Sequence, residues 1–346
     1  MKKNLMIRAA KKKDVRLIMN FIRNNWDKNH ILARDYKFFC YEFLNKEKTN
    51  FFLAFINKKL EAIQGFIPYG NKKNVHICGS ITCVSSKSLR PYLGVEIMQN
   101  MLQINKPRTY CGIGTNPITM LPLVKKFFKR TVGSLDHYYI LNNDLSNYII
   151  ATVVQKKNLP LKTKYKQLKI RRIYNYRTLS KSFDLNKNLK FFPKKESSYI
   201  KKRYFEHPIY DYLCYGIFNK NEKCKSFLIA REIKIKKNKI LRIIDFRGNL
   251  KELGFLKISL NKILKENKYE YIDLLCSGLN SKTLIMSGFN KIDSNDKNVI
   301  PTYFDPFIKK KIKIWYEKSD KNLVLFKGDA DADRPRTFKL KKILNK

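Results

Sequence analysis

Residues 76–103 carry the pattern with the most chemistry in it. Ile81, Thr82, Cys83 and Val84 favour a strand, Ser85, Ser86, Lys87 and Ser88 break it, and Pro91 opens a helix. In that helix Val95, Met98 and Leu102 recur at helical spacing, widened by Ile97 and Met101. A helix that starts directly after a strand presents backbone N–H groups and the positive end of its dipole, so Leu93, Gly94 and Val95 form a candidate anion site. A second pattern is Asp329, Asp331 and Asp333, followed by Arg334, Pro335 and Arg336. Arg334 and Leu340 stand where a calcium loop of EF-hand type needs glycine and a bidentate acid, which excludes that loop. Two readings stay open: a D-x-D metal site serving a nucleotide-sugar, or carboxylates paired with Arg334, Arg336 and nearby lysines to tie down this segment. The seven cysteines show no C-x-x-C pair and no His cluster, so they read as reduced, buried thiols, with neither zinc nor a disulfide framework expected.

The elements that must position these residues need a long chain, and 346 residues with 44% hydrophobic content supply cores for about two domains. No apolar run approaches the roughly 20 residues of a membrane span, and Met1 and its lysines are not followed by a signal-peptide core, so a cytoplasmic protein is expected. The net charge of +45 suggests nucleic acid or an anionic surface. Lysine, however, outnumbers arginine and is spread over the whole chain, as in coding sequence biased toward A and T, and no basic tail or helix face concentrates it. Diffuse solvated charge is therefore the expectation, with no sequence-specific nucleic acid as partner.

In chain order, Met6, Ile7 and Arg8 read as a strand, Asp14 as a helix cap, and Val15, Ile18, Met19 and Ile22 as an apolar helix face. A polar connection from Trp26 to Asp35, with His30 in it, leads to a helix through Phe38, Phe39, Tyr41 and Phe43. Residues 51–56 and 60–67 form a hairpin. The strand-turn-helix follows, then a strand over 108–114, a helix carrying Met120, Leu123, Val124, Phe127 and Phe128, and a strand over 137–141. Residues 156–185 are rich in Lys and Arg with little apolar periodicity, as in a basic linker. From 186 the same grammar returns: strands over 212–218, 226–231, 240–248 and 271–275, a helix over 250–264, and Gly288 and Phe289 after a short helix.

The phrase Ile7-Arg8-x-Ala10-x-x-x-Asp14-Val15, the turn Pro91-Tyr-Leu-Gly94-Val-Glu96 and the order of elements over about residues 5–150 resemble acyltransferases of the GNAT type. In their turn, Q/R-x-x-G-x-G/A, only Gly94 matches here. Pro91 stands in the basic place and Glu96 in the last small one. The resemblance implies a mixed α/β fold with two GNAT-like domains in tandem, the second degenerate: residues 1–155, the linker 156–185, and 186–346. It also implies acetyl-CoA or another acyl-CoA as substrate, with no metal. Thr82, Cys83 and Val84 would supply backbone groups to the pantetheine, and Leu93, Gly94 and Val95 would hold the pyrophosphate. His30, on the acceptor side, would be a base or substrate ligand, or a loop histidine capping backbone. Tyr110, Asp136, Tyr138 and Tyr139 are candidates for the acid or a substrate contact, with Glu96 and His76 as lesser bases.

The second half, with Arg203-Tyr204-x-x-His207-Pro208, Tyr303-Phe304-x-Pro306-Phe307 and the Asp329 phrase, resembles GNAT-like proteins of bacterial surface-polysaccharide biosynthesis. That implies transfer of an acyl group to an amine or hydroxyl of a nucleotide- or lipid-linked sugar, and contact with membrane-associated glycan enzymes. The alternatives are a non-catalytic binding or scaffold protein in the same pathway and, further off, a nucleic-acid-binding protein.

Overall fold

The computed structural model describes residues 4–71, 75–156, 167–185, 193–329 and 332–335. Strand β1 (Leu5–Lys11) runs into α1 (Val15–Asn25), with Asp14 at the junction. Its carboxylate accepts from the Lys11 N–H at 2.8 Å and takes a two-pronged ion pair from Arg8 at 2.7 and 2.8 Å, so this local sequence stops the strand and starts the helix. Helices α2 (Ile31–Arg34) and α3 (Tyr36–Phe43) follow, capped by His30 and Asp35. Strands β2 (Lys48–Ile56) and β3 (Lys59–Pro68) form the expected hairpin; Asn57 and Lys58 take φ of 50° and 66°, the left-handed pair that a two-residue turn requires. Then come β4 (His76–Val84), α4 (Leu93–Asn105), β5 (Thr109–Ile113), α5 (Met120–Phe128) and β6 (Thr131–Ser134).

The next strand, β7 (Asp136–Leu141), leaves this sheet for another one. That sheet also holds β8 (Lys169–Ile173), β9 (Tyr212–Phe218), β10 (Cys224–Ile235), β11 (Asn238–Arg247), β12 (Tyr271–Ser277) and β13 (Asn290–Lys291). Helix α6 (Tyr176–Ser182) follows β8, α7 (Lys257–Glu266) joins β11 to β12, and α8 (Ser281–Met286) precedes β13. Strand β14 (Trp315–Lys318) returns to the first sheet and β15 (Leu325–Phe326) adds to the second.

The first sheet has the order β1-β2-β3-β4-β5-β14-β6, and the second β8-β9-β10-β11-β12-β7-β13. Place by place the two orders match, and in each the sixth place is filled from a distant part of the chain. Each sheet also contains a parallel pair, β4 with β5 and β11 with β12. The chain accordingly divides into two compact units. Among the described residues the first contains 4–133, Trp315–Lys321 and 332–335, and the second Ser134–Ile314 and Asn322–Asp329.

These limits differ from the boundaries at 155 and 186 read from the sequence, because β7 completes the second sheet and β14 the first. The basic stretch is also reassigned in part. Residues 157–166 lie outside the described residues, whereas Lys169–Ile173 is an edge strand whose Arg171 pairs with Glu222 and whose Arg172 lies 5.3 Å from the Tyr215 ring. Its charge is the exposed side of an edge strand, a common guard against unwanted pairing.

The first core lies on the α4 and α5 face, built from residues such as Phe52, Ile77, Met98, Met101, Tyr110 and Val124. In the second unit Leu228, Leu241, Ile243 and Leu274 of the sheet form a core with Leu260 and Leu264 of α7. Within that unit Arg242, 1% exposed, donates to Asp273 from Nε at 3.0 Å and Nη2 at 2.6 Å, and to the carbonyls of Thr302 and Pro301 at 2.7 and 2.8 Å. His137 Nε2 reaches the same carboxylate at 2.8 Å; burial, more than that carboxylate, sets its pKa below the usual value. Removing one partner strands a buried charge. Arg242→Met is expected to cost about 3–5 kcal/mol, read as a lower urea midpoint, with much of the loss recovered in the R242M/D273L double variant.

Candidate functional site

In the first unit β4 and β5 run in parallel for four rungs, from His76 opposite Thr109 to Gly79 opposite Gly112, and there the ladder ends. On the other side of β4 the pairing slips at the same level: Ser80 and Ile81 together face Gly65, between the rungs Gln64 to Thr82 and Phe66 to Gly79. Such a bulge turns the strand and increases its twist. Residues 80–84 therefore keep β3 as a neighbour and part from β5, leaving a wedge. Thr82, Cys83 and Val84 line its edge. Burial pushes the Cys83 thiol up to about 11, so it is a poor nucleophile and the backbone is what this edge offers.

The turn after β4 ends at Tyr92, which has φ 57° and gives no side-chain cap to α4. The first-turn residues Leu93, Gly94 and Val95 thus present a helix N-terminus directly beyond the strand. A Cβ on Gly94 would stand 3.4 Å from Val84 Cγ2 and 3.8 Å from Thr82 Cγ2, which places this turn against the end of β4. The six residues read as coenzyme-binding, Thr82, Cys83, Val84, Leu93, Gly94 and Val95, are brought together. Glu96 is paired by Arg90, whose Nε and Nη2 donate at 2.8 and 2.9 Å, so its charge is answered locally.

The residues read as catalytic are not gathered in the same way. His30 accepts the Leu32 N–H at Nδ1 (3.2 Å) as the cap of α2, the capping alternative given above. His76 Nδ1 lies 2.7 Å from Thr109 Oγ1, a buried rung partner. Tyr110 is in the first unit, 3% exposed, with Arg130 4.2 Å over its ring, and a Cβ on Gly79 would overlap its hydroxyl. Asp136, Tyr138 and Tyr139 are placed elsewhere. They lie on β7 in the second sheet, where Asp136 pairs with Lys291 at 2.8 Å and the Tyr139 hydroxyl donates to Asp296 at 2.8 Å. The physical reason is the strand that leaves the first sheet after Ser134.

Strand β14 brings a residue that the sequence did not signal. Glu317 stands opposite Gly112, one rung from the point where the wedge opens, and is 2% exposed. Its Oε2 is buried and has no hydrogen-bond partner. Burial pushes its pKa up to about 7, against the pull of the Arg130 guanidinium. The same burial, with Glu317 beside it, holds the Tyr110 hydroxyl well above its usual range.

The second unit repeats this arrangement and fills it. β11 and β12 pair in parallel only from Leu241 opposite Ile272 to Ile243 opposite Leu274, and Ile244 is the bulged residue of β11. Between the parting strands lies 325–329. Lys327 N–H donates to Leu275 O at 3.0 Å and Gly328 N–H to Ile244 O at 2.8 Å, while a Cβ on Gly328 would overlap Ile244. Lys195 holds the segment, reaching Asp245 Oδ2 at 2.6 Å and Asp329 Oδ1 at 2.8 Å. Burial works against its charge, but the two carboxylates outweigh that and keep its pKa high.

Asp329 thus ties the chain down, though to Lys195. Arg334 pairs with Glu42 at 2.6 Å and donates to Ser80 Oγ at 2.9 Å, and Asp331 and Arg336 lie outside the described residues. Among the described residues no three His, Cys, Asp or Glu side chains are grouped to hold a metal ion. No helix among them is long and apolar enough to cross a membrane.

The fold is of GNAT type. A conserved Enterococcus faecalis V583 protein, described as a probable N-acyltransferase, superposes with a TM-score of 0.54 at 9% identity, over 90% of this chain and 72% of its own. A GCN5-related N-acetyltransferase from Kribbella flavida gives 0.50 at 10% identity, over 91% and 71%. No protein-family model matches the sequence, and no curated protein does.

The Glu317 carboxyl gives a stability test. Its folded-state pKa is raised, so the folded chain holds this proton more tightly, and the contribution is complete below the ordinary value of 4.5 and lost as pH rises toward about 7. Such a displacement corresponds to about 3 kcal/mol. Glu317→Gln, neutral at every pH, should gain on the wild type by that order between about pH 5 and 8, measured by urea melts across the range. A gap that does not change with pH would contradict the burial account.

Proposed function

We propose that the chain is an acyltransferase that takes an acyl group from acetyl-CoA or another acyl-CoA in the wedge of the first unit. The observation that carries this reading is the ladder that stops at Gly79 and Gly112 with an uncapped helix start just beyond the freed strand. A pantetheine chain can hydrogen-bond the edge of 81–84 that parts from β5 as an added strand would, and its pyrophosphate then meets the N–H groups of Leu93, Gly94 and Val95. Backbone N–H groups at the bulge are suited to the oxyanion that forms when an amine or hydroxyl attacks the thioester carbon. The carbon-to-sulfur bond then breaks and the thiol leaves. The likeness in fold to proteins described as acyltransferases agrees with this reading.

The second unit is the degenerate one in this reading, because 325–329 occupies the place that a pantetheine would take. For the acceptor we propose an amine or hydroxyl on a nucleotide- or lipid-linked sugar of surface-glycan synthesis. The net charge of +45 suits a phosphate-bearing acceptor. A non-catalytic scaffold is the competing reading, favoured by Pro91 in the basic place of the turn.

Thermal shift decides between them. Acetyl-CoA at about 100 times its dissociation constant should add about 2.7 kcal/mol of stability. Gly94→Asp places a like charge where the pyrophosphate would sit while favouring the helix start, so affinity should fall at least about tenfold with no loss of melting temperature. No shift with millimolar acetyl-CoA would leave the scaffold reading.

A further inference from the structure

We propose that Glu317 is the catalytic proton donor to the departing thiol in the wedge of the first unit; this rests on the acyl-CoA reading above. The last shared rung of β4 and β5 is a pair of glycines, and β14 sets Glu317 directly beside it. Gly112 leaves that side chain its room, since a Cβ there would stand 3.0 Å from Glu317 Oε1, 3.1 Å from its Cγ and 3.2 Å from Thr115 Oγ1, so one of these neighbours would have to give way. Strand alternation puts Glu317 on the face of Tyr110 and of the α4 and α5 core, the face that Thr82 and Val84 also present to Gly94. A pantetheine along 81–84 therefore brings its sulfur to the level of this carboxyl.

A purely structural carboxyl in such a place would be expected to pair both oxygens, because a buried unpaired acceptor costs about 1–3 kcal/mol. Oε2 is left without a partner. The charged and titratable groups acting on Glu317 are Arg130, just after α5, and Tyr110 on β5; Lys318 alternates to the opposite face, across from Cys111. Arg130 can stabilise the carboxylate once the proton has gone. Tyr110 is the weaker donor of the two, because its hydroxyl is held far above neutral pH, whereas a carboxyl near 7 is matched to the task.

The step balances. Attack of the acceptor nitrogen or oxygen forms the new bond to the acyl carbon, and collapse breaks the carbon-to-sulfur bond. Sulfur takes its proton from Glu317. The acceptor's own proton passes to water, and water returns one to the glutamate.

The test uses the full chain, acetyl-CoA, a panel of amino- and hydroxyl-bearing sugars with water as the blank, and a disulfide reagent to count released thiol. Wild type, E317Q and R130Q should shift alike in melting temperature with acetyl-CoA. E317Q should release thiol about 100-fold more slowly and lose the fall in rate above neutral pH, while R130Q should move that fall to higher pH. Binding with unchanged release and an unchanged pH profile in E317Q would sink this assignment and leave the acyl-CoA reading standing. No binding by the wild type would sink both. Infrared difference spectra with and without coenzyme A read the same carboxyl without turnover and without a variant: a protonated carboxyl band that changes on binding and fades between about pH 6 and 8 is expected, and a band indifferent to coenzyme A would overturn the proposal.

Discussion

A parallel ladder that lasts only four rungs is the constraint on which the first unit depends. Parallel strands gain little per rung, so where they part is decided by what each strand can pair with on its other side. For β4 that neighbour is β3, and the two-against-one bulge at Ser80 and Ile81 keeps the pairing with β3 while swinging 80–84 away from β5. For β5 it is β14, which holds Cys111, Gly112 and Ile113 on the far side. Without β14 the end of β5 would have one neighbour and could follow β4. The gap is therefore a consequence of competing ladders.

That dependence makes the fold strongly non-local. Ser319, just past β14, accepts the Tyr110 N–H through its hydroxyl at 2.9 Å, across 209 positions of sequence. The second unit draws its β7 from the other direction, with Tyr138 opposite Leu274 and Tyr139 opposite Asp273. Neither half of the sequence carries a complete set of strands for its own sheet. Contacts of this separation are closed late and slowly during folding, since the loop entropy must be overcome before the pairing stabilises anything. A fragment ending near residue 155 would expose the β5 edge and carry β7 without its partners.

Much of this was legible in sequence where the signal is local. The hairpin at Asn57 and Lys58, the strand-to-helix junction at Asp14, the strand-turn-helix over 76–103 and the glycine before Phe289 follow from residue types within a few positions of one another, although the Asp14 carboxylate reaches back to the Lys11 N–H and gives α1 no side-chain cap. The residues read as coenzyme-binding lie together for the same reason, because one strand end and one helix start supply them all. Partners were not legible. The strand over 137–141 reads as the close of a first domain because nothing within it says which sheet it will join. Lys169–Ile173 reads as linker because an edge strand can carry its charge outward. Glu317 carried no signal at all, since its burial comes from residues some 200 positions away, and Asp136, Tyr138 and Tyr139 were misplaced with their strand.

The two wedges then show how one sheet order can reach different chemistry. In the second, Gly328 comes so close to Ile244 that no side chain fits, and its N–H takes the carbonyl that the bulge exposes. The segment is locked by a buried Lys195 between two carboxylates, one on the parting strand and one on the segment itself. Removing either carboxylate would leave Lys195 with half its compensation. A polar link of this kind fixes position better than apolar packing does, because displacement leaves a buried charge unpaired. The corresponding place in the first unit has two glycines and a buried carboxyl whose Oε2 has no hydrogen-bond partner. Held charge closes one wedge, and in the other the carboxyl that lacks a partner stands where the strands divide.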